Sequence, residues 1–145
     1  MATFADRFET VFKRQPFPWQ SALYERLVVN DVPSVATLPT GLGKTSIIAI
    51  WLLARLVNPH PRRRLVYVVH RRTVVDQPTR AVERLVKNLP EVALAVSTLR
   101  GQFVDNREWS ADPSRPAVIC GTVDMIGSRL LFSGYGAGFR TRPMY

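Results

Sequence analysis

One cysteine, two histidines and three lysines are all that the 145 residues offer of side chains on which much metal and nucleophile chemistry depends. The lone Cys120 excludes an intramolecular disulfide and a cysteine-based zinc cluster, and the alternation from Ala117 to Gly121 makes it a buried strand residue. His60 and His70 stand alone, so ordinary loop or strand-end residues are a simpler reading than metal ligands. Long apolar runs are also missing. The longest uncharged one, Ile47 to Ala54, falls well short of the roughly 20 residues a membrane-crossing helix needs, so no membrane span is expected. Met1 to Arg14 interleaves Asp6, Arg7, Glu9, Lys13 and Arg14 with apolar residues, unlike the basic-then-apolar order of a secretory signal. A cytoplasmic location is the expectation. No internal repeat is found.

What the chain has in excess is positive charge. Twenty Lys and Arg against eleven Asp and Glu leave +9, which suits a polyanionic partner, DNA or RNA. Only Lys13, Lys44 and Lys87 are lysine, and a GC-rich coding sequence would produce the same arginine bias. The composition, 46% hydrophobic and 21% charged, is that of a folded globular domain and excludes a disordered or fibrous chain. The length suits one domain or less.

Phe4, Phe8, Val11 and Phe12 fall at helical spacing, and Pro18, favoured in a first turn, opens a second helix through Leu23 and Leu27 to about Val29. A short apolar strand, Val35 to Leu38, is expected next, then a glycine loop from Pro39 to Gly43 and a helix from Lys44 to about Val57. Leu65 to Val69 is a continuous β-branched run of the kind buried on both faces of a parallel sheet. The expectation continues with a helix over Thr79 to Leu89, a strand over Val92 to Val96 and a polar loop over Gly101 to Pro116. A strand over Ala117 to Cys120 and a helix over Val123 to Phe132 follow. Alternating strands and helices imply an α/β fold, a parallel sheet covered by helices on both faces. Residues 1–33 are read as an N-terminal helical portion, 34–132 as the sheet-bearing domain and 133–145 as a Gly-rich tail or linker.

The strongest local signal is Thr37-Leu38-Pro39-Thr40-Gly41-Leu42-Gly43-Lys44-Thr45. Glycines at 41 and 43 allow backbone turns that aim successive N–H groups at an anion, and a helix starting near Lys44 points its positive end at the same place. In such a loop Lys44 reaches the outer phosphates of a nucleotide and the Thr45 hydroxyl ligates Mg²⁺. These two are the candidate catalytic residues, and Pro39, Thr40, Gly41, Leu42, Gly43 and Ser46 complete the candidate phosphate site. The strict pattern has glycine where this chain has Leu38.

The variant L-P-T-G-x-G-K-T resembles motif I of superfamily 2 helicases. Upstream, Phe17-Pro18-Trp19-Gln20 resembles that family's adenine-reading motif, in which an aromatic ring stacks on the base and glutamine bonds its edge. Val69-His70-Arg71-Arg72-Thr73-Val74-Val75-Asp76-Gln77 is similar to motif Ia of the helicase-nucleases of type I CRISPR interference. Ser97-Thr98-Leu99-Arg100-Gly101 and Gly121-Thr122-Val123-Asp124 resemble the next nucleic-acid-contacting motifs. The resemblance implies a first RecA-like ATP-binding lobe, ATP and Mg²⁺ as cofactors, and single-stranded DNA as partner. It implies Phe17 and Gln20 as base contacts, and Arg71, Arg72, Thr98, Arg100, Gly101, Thr122 and Asp124 as nucleic-acid contacts. All three motifs are expected at carboxyl ends of strands, the edge at which open α/β sheets bind ligands. Arg62, Arg63 and Arg64 precede a strand and belong at the opposite edge.

The family pattern breaks off in one respect. No Asp-Glu pair occurs in the chain, whereas such helicases hold Mg²⁺ and activate water with one. The expectation is therefore an N-terminal part of a larger helicase-nuclease, working with the rest of that enzyme or an RNA-guided surveillance complex. Alone, the chain is expected to be inactive as an ATPase. Two competing classes are a P-loop kinase or GTPase, which would not need Gln20, Arg71, Arg72 or Arg100, and a basic nucleic-acid-binding module with a vestigial glycine loop.

Overall fold

The computed structural model describes residues 2–59, 63–70, 72–89, 97–99, 116–124 and 126–127. They belong to two compact units, Met1–Arg62 with Arg80–Leu94 and Arg63–Thr79 with Ala95–Tyr145.

The first unit is built on helices. Helix α1, Phe4–Phe12, starts at Thr3, whose hydroxyl accepts from the Asp6 N–H at 3.2 Å while the Asp6 carboxylate accepts the Thr3 N–H at 2.8 Å. Two of the donors that every helix start leaves unpaired are thereby satisfied. The side-chain bond from Thr3, then its backbone bond, holds the Asp6 carboxyl below its ordinary pKa. The helix stops at Lys13, which turns into the left-handed region at φ 57°. Helix α2, Pro18–Val28, opens on a proline at its first position, and α3, Ile47–Val57, follows a short 3₁₀ turn, Lys44–Ser46. Ile48, Ala49, Ile50, Leu52, Leu53 and Ala54 of α3 are all buried, the mark of a helix wrapped on most sides by its neighbours.

The core of this unit is Phe8, Leu27, Ile50 and Ala54, with Phe4, Trp19, Leu23, Tyr24 and Trp51 packed around them. Phe4 stacks on Tyr24 at 4.2 Å between ring centroids, which fixes α1 on α2. Asn58, just past α3, donates its side-chain amide to the Val28 carbonyl at 2.7 Å and joins the carboxyl ends of α2 and α3. The Arg26–Asp31 ion pair at 2.7 Å closes the turn after α2; being exposed, it contributes little.

The Val35–Leu38 segment differs from its expected form. It belongs to no strand, and Val35 is 79% exposed. A strand exists only through its ladder. This four-residue run lies between Pro33 and Pro39, neither of which can donate, and no described strand pairs with it.

The second unit holds a parallel sheet of three described strands, β1 Arg64–Val69, β2 Ser97–Leu99 and β3 Ala117–Thr122, in the order β1-β3-β2. All six residues of the central β3 are buried, Cys120 among them, whereas β1 alternates, with Val66 and Val68 exposed. Ile126 packs on Ala117 and Ile119. Strands running parallel with helices between them make the fold α/β, as the alternating pattern implied. Ser97–Leu99 are in the ladder itself rather than beyond a strand's end, while Val92–Val96 lie outside the described residues. Helix α4, Arg72–Asn88, begins seven residues before the expected Thr79 and runs through Pro78. Residues 101–115 and the tail 133–145 lie outside the described residues. Of the expected helix from Val123 to Phe132, residues 123, 124, 126 and 127 are helical.

Candidate functional site

The glycine loop turns through two left-handed residues. Gly41 has φ +86° and Gly43 φ +70°, the left-handed region that only glycine enters without strain. Lys44 and Thr45 then form the first residues of the 3₁₀ turn that runs into α3, with Lys44 exposed and Thr45 half-buried. Pro39, Thr40 and Gly41 are exposed and Leu42 half-buried. The Gly43 carbonyl accepts from both the Ser46 N–H, at 3.0 Å, and the Ser46 hydroxyl, at 2.7 Å, so the turn is closed from within by a serine that is 3% exposed.

Residues far upstream fasten this loop. Gln20 is fully buried, and its amide N–H donates to Ser46 Oγ at 2.7 Å. Its carbonyl accepts from the Phe17 N–H at 2.8 Å and, at 3.5 Å, from Arg14 Nη1. The Phe17 bond fixes the orientation of the carboxamide, because a backbone N–H can meet only the oxygen end. Trp19 Nε1 donates to the Leu42 carbonyl at 3.2 Å. The start of α2 is therefore tied to the loop at Leu42 and at Ser46. Gln20, expected to bond the base edge, is closed off from it by burial and by these bonds, whereas Phe17, the other expected base contact, keeps 37% of its surface exposed at the amino end of α2. Sequence reading placed Gln20 and the loop in one site without seeing the bond between them. It quoted Trp19 within the adenine-reading motif without a role of its own, and gave Arg14 none.

The expected nucleic-acid contacts fall in the second unit. Arg71, Arg100 and Gly101 lie outside the described residues, as do His60 and Arg62. Arg72 is the first residue of α4, three positions past the end of β1. Thr122 ends β3 beside Val69 of β1 and is 4% exposed, while Asp124, two residues on, is exposed. Thr98 is level with Val118, four residues before Thr122, or about 13 Å down the strand direction. The carboxyl ends of β1 and β3 thus present Arg72 and Asp124 at one edge, with Thr98 lower in the sheet. Arg64 opens β1 level with Ala117, at the opposite edge. Among the described residues no group of three or more His, Cys, Asp or Glu could hold a metal, and no helix is long and apolar enough to cross a membrane.

A glycine loop with both glycines left-handed, running through Lys-Thr-Ser into a buried helix in an α/β chain, defines a protein of the phosphate-loop nucleotide-binding class. The DEAD/DEAH box helicase family model matches residues 17–138, most of the chain, and the chain belongs to that family. Its fold is accordingly RecA-like, and ATP-dependent action on nucleic acid, with ATP and magnesium as cofactors, is the family's activity. No curated protein matches the chain, and no solved structure does.

Proposed function

We propose that the chain is the ATP-binding part of an ATP-dependent DNA helicase or translocase. In this reading Lys44 contacts the outer phosphates and the backbone from Pro39 to Ser46 cradles them. The Thr45 hydroxyl would be a ligand for Mg²⁺ and Phe17 would stack on the adenine, while Gln20, fully buried with both ends of its carboxamide already bonded, ties that turn to the loop. The observation that supports the reading is the pair of left-handed glycines leading into Lys44 and Thr45, on a loop fastened to the start of α2 by the buried Gln20–Ser46 bond. The residues present fit the ligand: a cation, an exposed aromatic ring and a turn of backbone donors belong to one compact unit. Magnesium would take one protein hydroxyl and complete its shell with phosphate and water, as this ion commonly does at nucleotide sites.

Arg71, Arg72, Arg100, Gly101 and Asp124 are proposed to contact single-stranded DNA, with Thr122, buried at the end of β3, and Thr98, lower in the sheet, behind that edge, and the +9 charge supports a polyanionic partner. The similarity of residues 69–77 and 121–124 to motifs of type I CRISPR helicase-nucleases supports a narrower assignment. On it, the chain serves antiviral DNA interference in the cytoplasm, together with a nuclease or an RNA-guided surveillance complex. With no Asp-Glu pair in the sequence, we expect the chain to bind ATP and not to turn it over.

The test is nucleotide competition with DNA binding measured in parallel. ATP should displace a fluorescent adenine nucleotide while GTP does so poorly, phosphate release should match a Lys44→Ala control, and single-stranded DNA affinity should fall steeply with salt. Equal displacement by GTP would contradict the adenine reading. DNA binding unchanged by ATP and by Lys44→Ala would favour a plain basic binding module.

A further inference from the structure

We propose that Arg14 is a positioning residue of the nucleotide site: its guanidinium holds the Phe17 ring and the Gln20 carboxamide against the glycine loop. The proposal takes as given the reading of Phe17 as the base contact.

Arg14 comes directly after Lys13, whose left-handed conformation turns the chain at the end of α1. From there one planar head group touches three parts of the site. Its carbon centre lies 4.5 Å from the centroid of the Phe17 ring, over one face, and 5.4 Å from that of Phe8. Nη1 reaches the Gln20 carbonyl at 3.5 Å and the Gln15 carbonyl at 3.3 Å. Nη2 lies 2.9 Å from where a Cβ on Gly43 would stand, so the guanidinium also packs on the loop's second glycine. The residue precedes the region matched by the family, 17–138.

The physical consequences differ for base and phosphates. A cation on one face of Phe17 draws electron density from the ring and pins it, leaving the exposed face to stack on an electron-rich purine. With Phe17 N–H and Arg14 both donating to its carbonyl, the plane of Gln20 is set from two directions. Lysine would keep the charge and lose the flat, forked shape on which both contacts depend. The phosphates meet backbone donors and Lys44, which Arg14 does not replace.

The test compares the whole 145-residue chain with Arg14→Ala and Arg14→Lys, titrating Mg-ATP and, separately, inorganic tripolyphosphate, which reports the loop without the base. We expect Arg14→Ala to weaken ATP about tenfold while tripolyphosphate affinity changes less than about twofold. Arg14→Lys should fall between, and the ligand-free variants should still melt cooperatively. Unchanged or tighter ATP binding by Arg14→Ala would overturn the proposal, as would equal losses for ATP and tripolyphosphate, which would mark Arg14 as a prop for the loop alone. Should Arg14→Ala not fold, Arg14→Lys carries the test, and wild-type ATP affinity in that variant overturns the proposal. A wild-type chain that binds tripolyphosphate but shows no preference for ATP overturns the adenine reading, and this proposal with it.

Discussion

Gln20 and Ser46, twenty-six residues apart in the chain, are joined by a 2.7 Å hydrogen bond in a setting closed to solvent. The bond makes the start of α2 and the glycine loop one mechanical piece, because Ser46 in turn donates to the Gly43 carbonyl. Replacing Gln20 by Ala removes the buried donor to the Ser46 hydroxyl and the part-buried acceptor of the Phe17 N–H, a cost of about 1–3 kcal/mol. We expect Gln20→Ala to unfold at lower denaturant by that amount and to bind ATP more weakly. Wild-type stability in a urea titration would show that the bond does not hold the loop.

The two loop glycines should respond differently to a methyl group. A Cβ at Gly41 meets nothing within 4 Å, so Gly41→Ala carries only the backbone strain of φ +86°, about 1–2 kcal/mol. At Gly43 the same strain is joined by a clash with Arg14 Nη2 at 2.9 Å and crowding of Gln20 Nε2 at 3.4 Å. Gly43→Ala is therefore expected to lower stability and ATP affinity more than Gly41→Ala, as read by thermal melts and nucleotide titration. The reverse order would contradict the placement of Arg14.

Cys120 lies in the central strand, 3% exposed, and burial pushes its thiol pKa up to about 11. A thiol reacts as its thiolate. We expect native protein near pH 8, well below that pKa, to resist alkylation, and denatured protein to react fully. Fast native labelling, followed by mass spectrometry, would show that β3 opens.

Asp6 gives a pH dependence whose sign is fixed. Bonds from Thr3 lower its folded pKa below the unfolded value, so its contribution is complete above the ordinary carboxylate range and disappears as pH falls through the folded pKa. The melting temperature of Asp6→Asn should lie slightly below wild type at neutral pH and converge with it in acid. A gap that widens in acid would contradict the capping geometry.

The helices were legible because each depends on local signals. Phe4, Phe8, Val11 and Phe12 recur at helical spacing, Pro18 suits a first turn, and the apolar run 47–54 is what a helix buried on most sides requires. The α4 boundary was misread because Pro78 suggests a break, and the helix continues through it. Strands fared less well, since a strand depends on partners that a local run does not name. Val35–Leu38 has the composition of a strand and no described ladder, and Ser97–Leu99, expected beyond the end of a strand, pairs with β3. In the site, the glycine loop was visible because Gly41, Gly43, Lys44 and Thr45 are contiguous. The bonds from Gln20, Trp19 and Arg14 were not, because they span six to twenty-six residues and appear only once α2 packs on α3.

The account turns on whether this loop grips a triphosphate. Titration calorimetry of the folded chain with ATP, with and without magnesium, tests that most directly. Saturable, one-to-one binding that requires magnesium and is lost in a Lys44→Ala variant of unchanged melting temperature is the expected result. Absence of binding by a cooperatively folded wild type, or equal binding by Lys44→Ala, would contradict it.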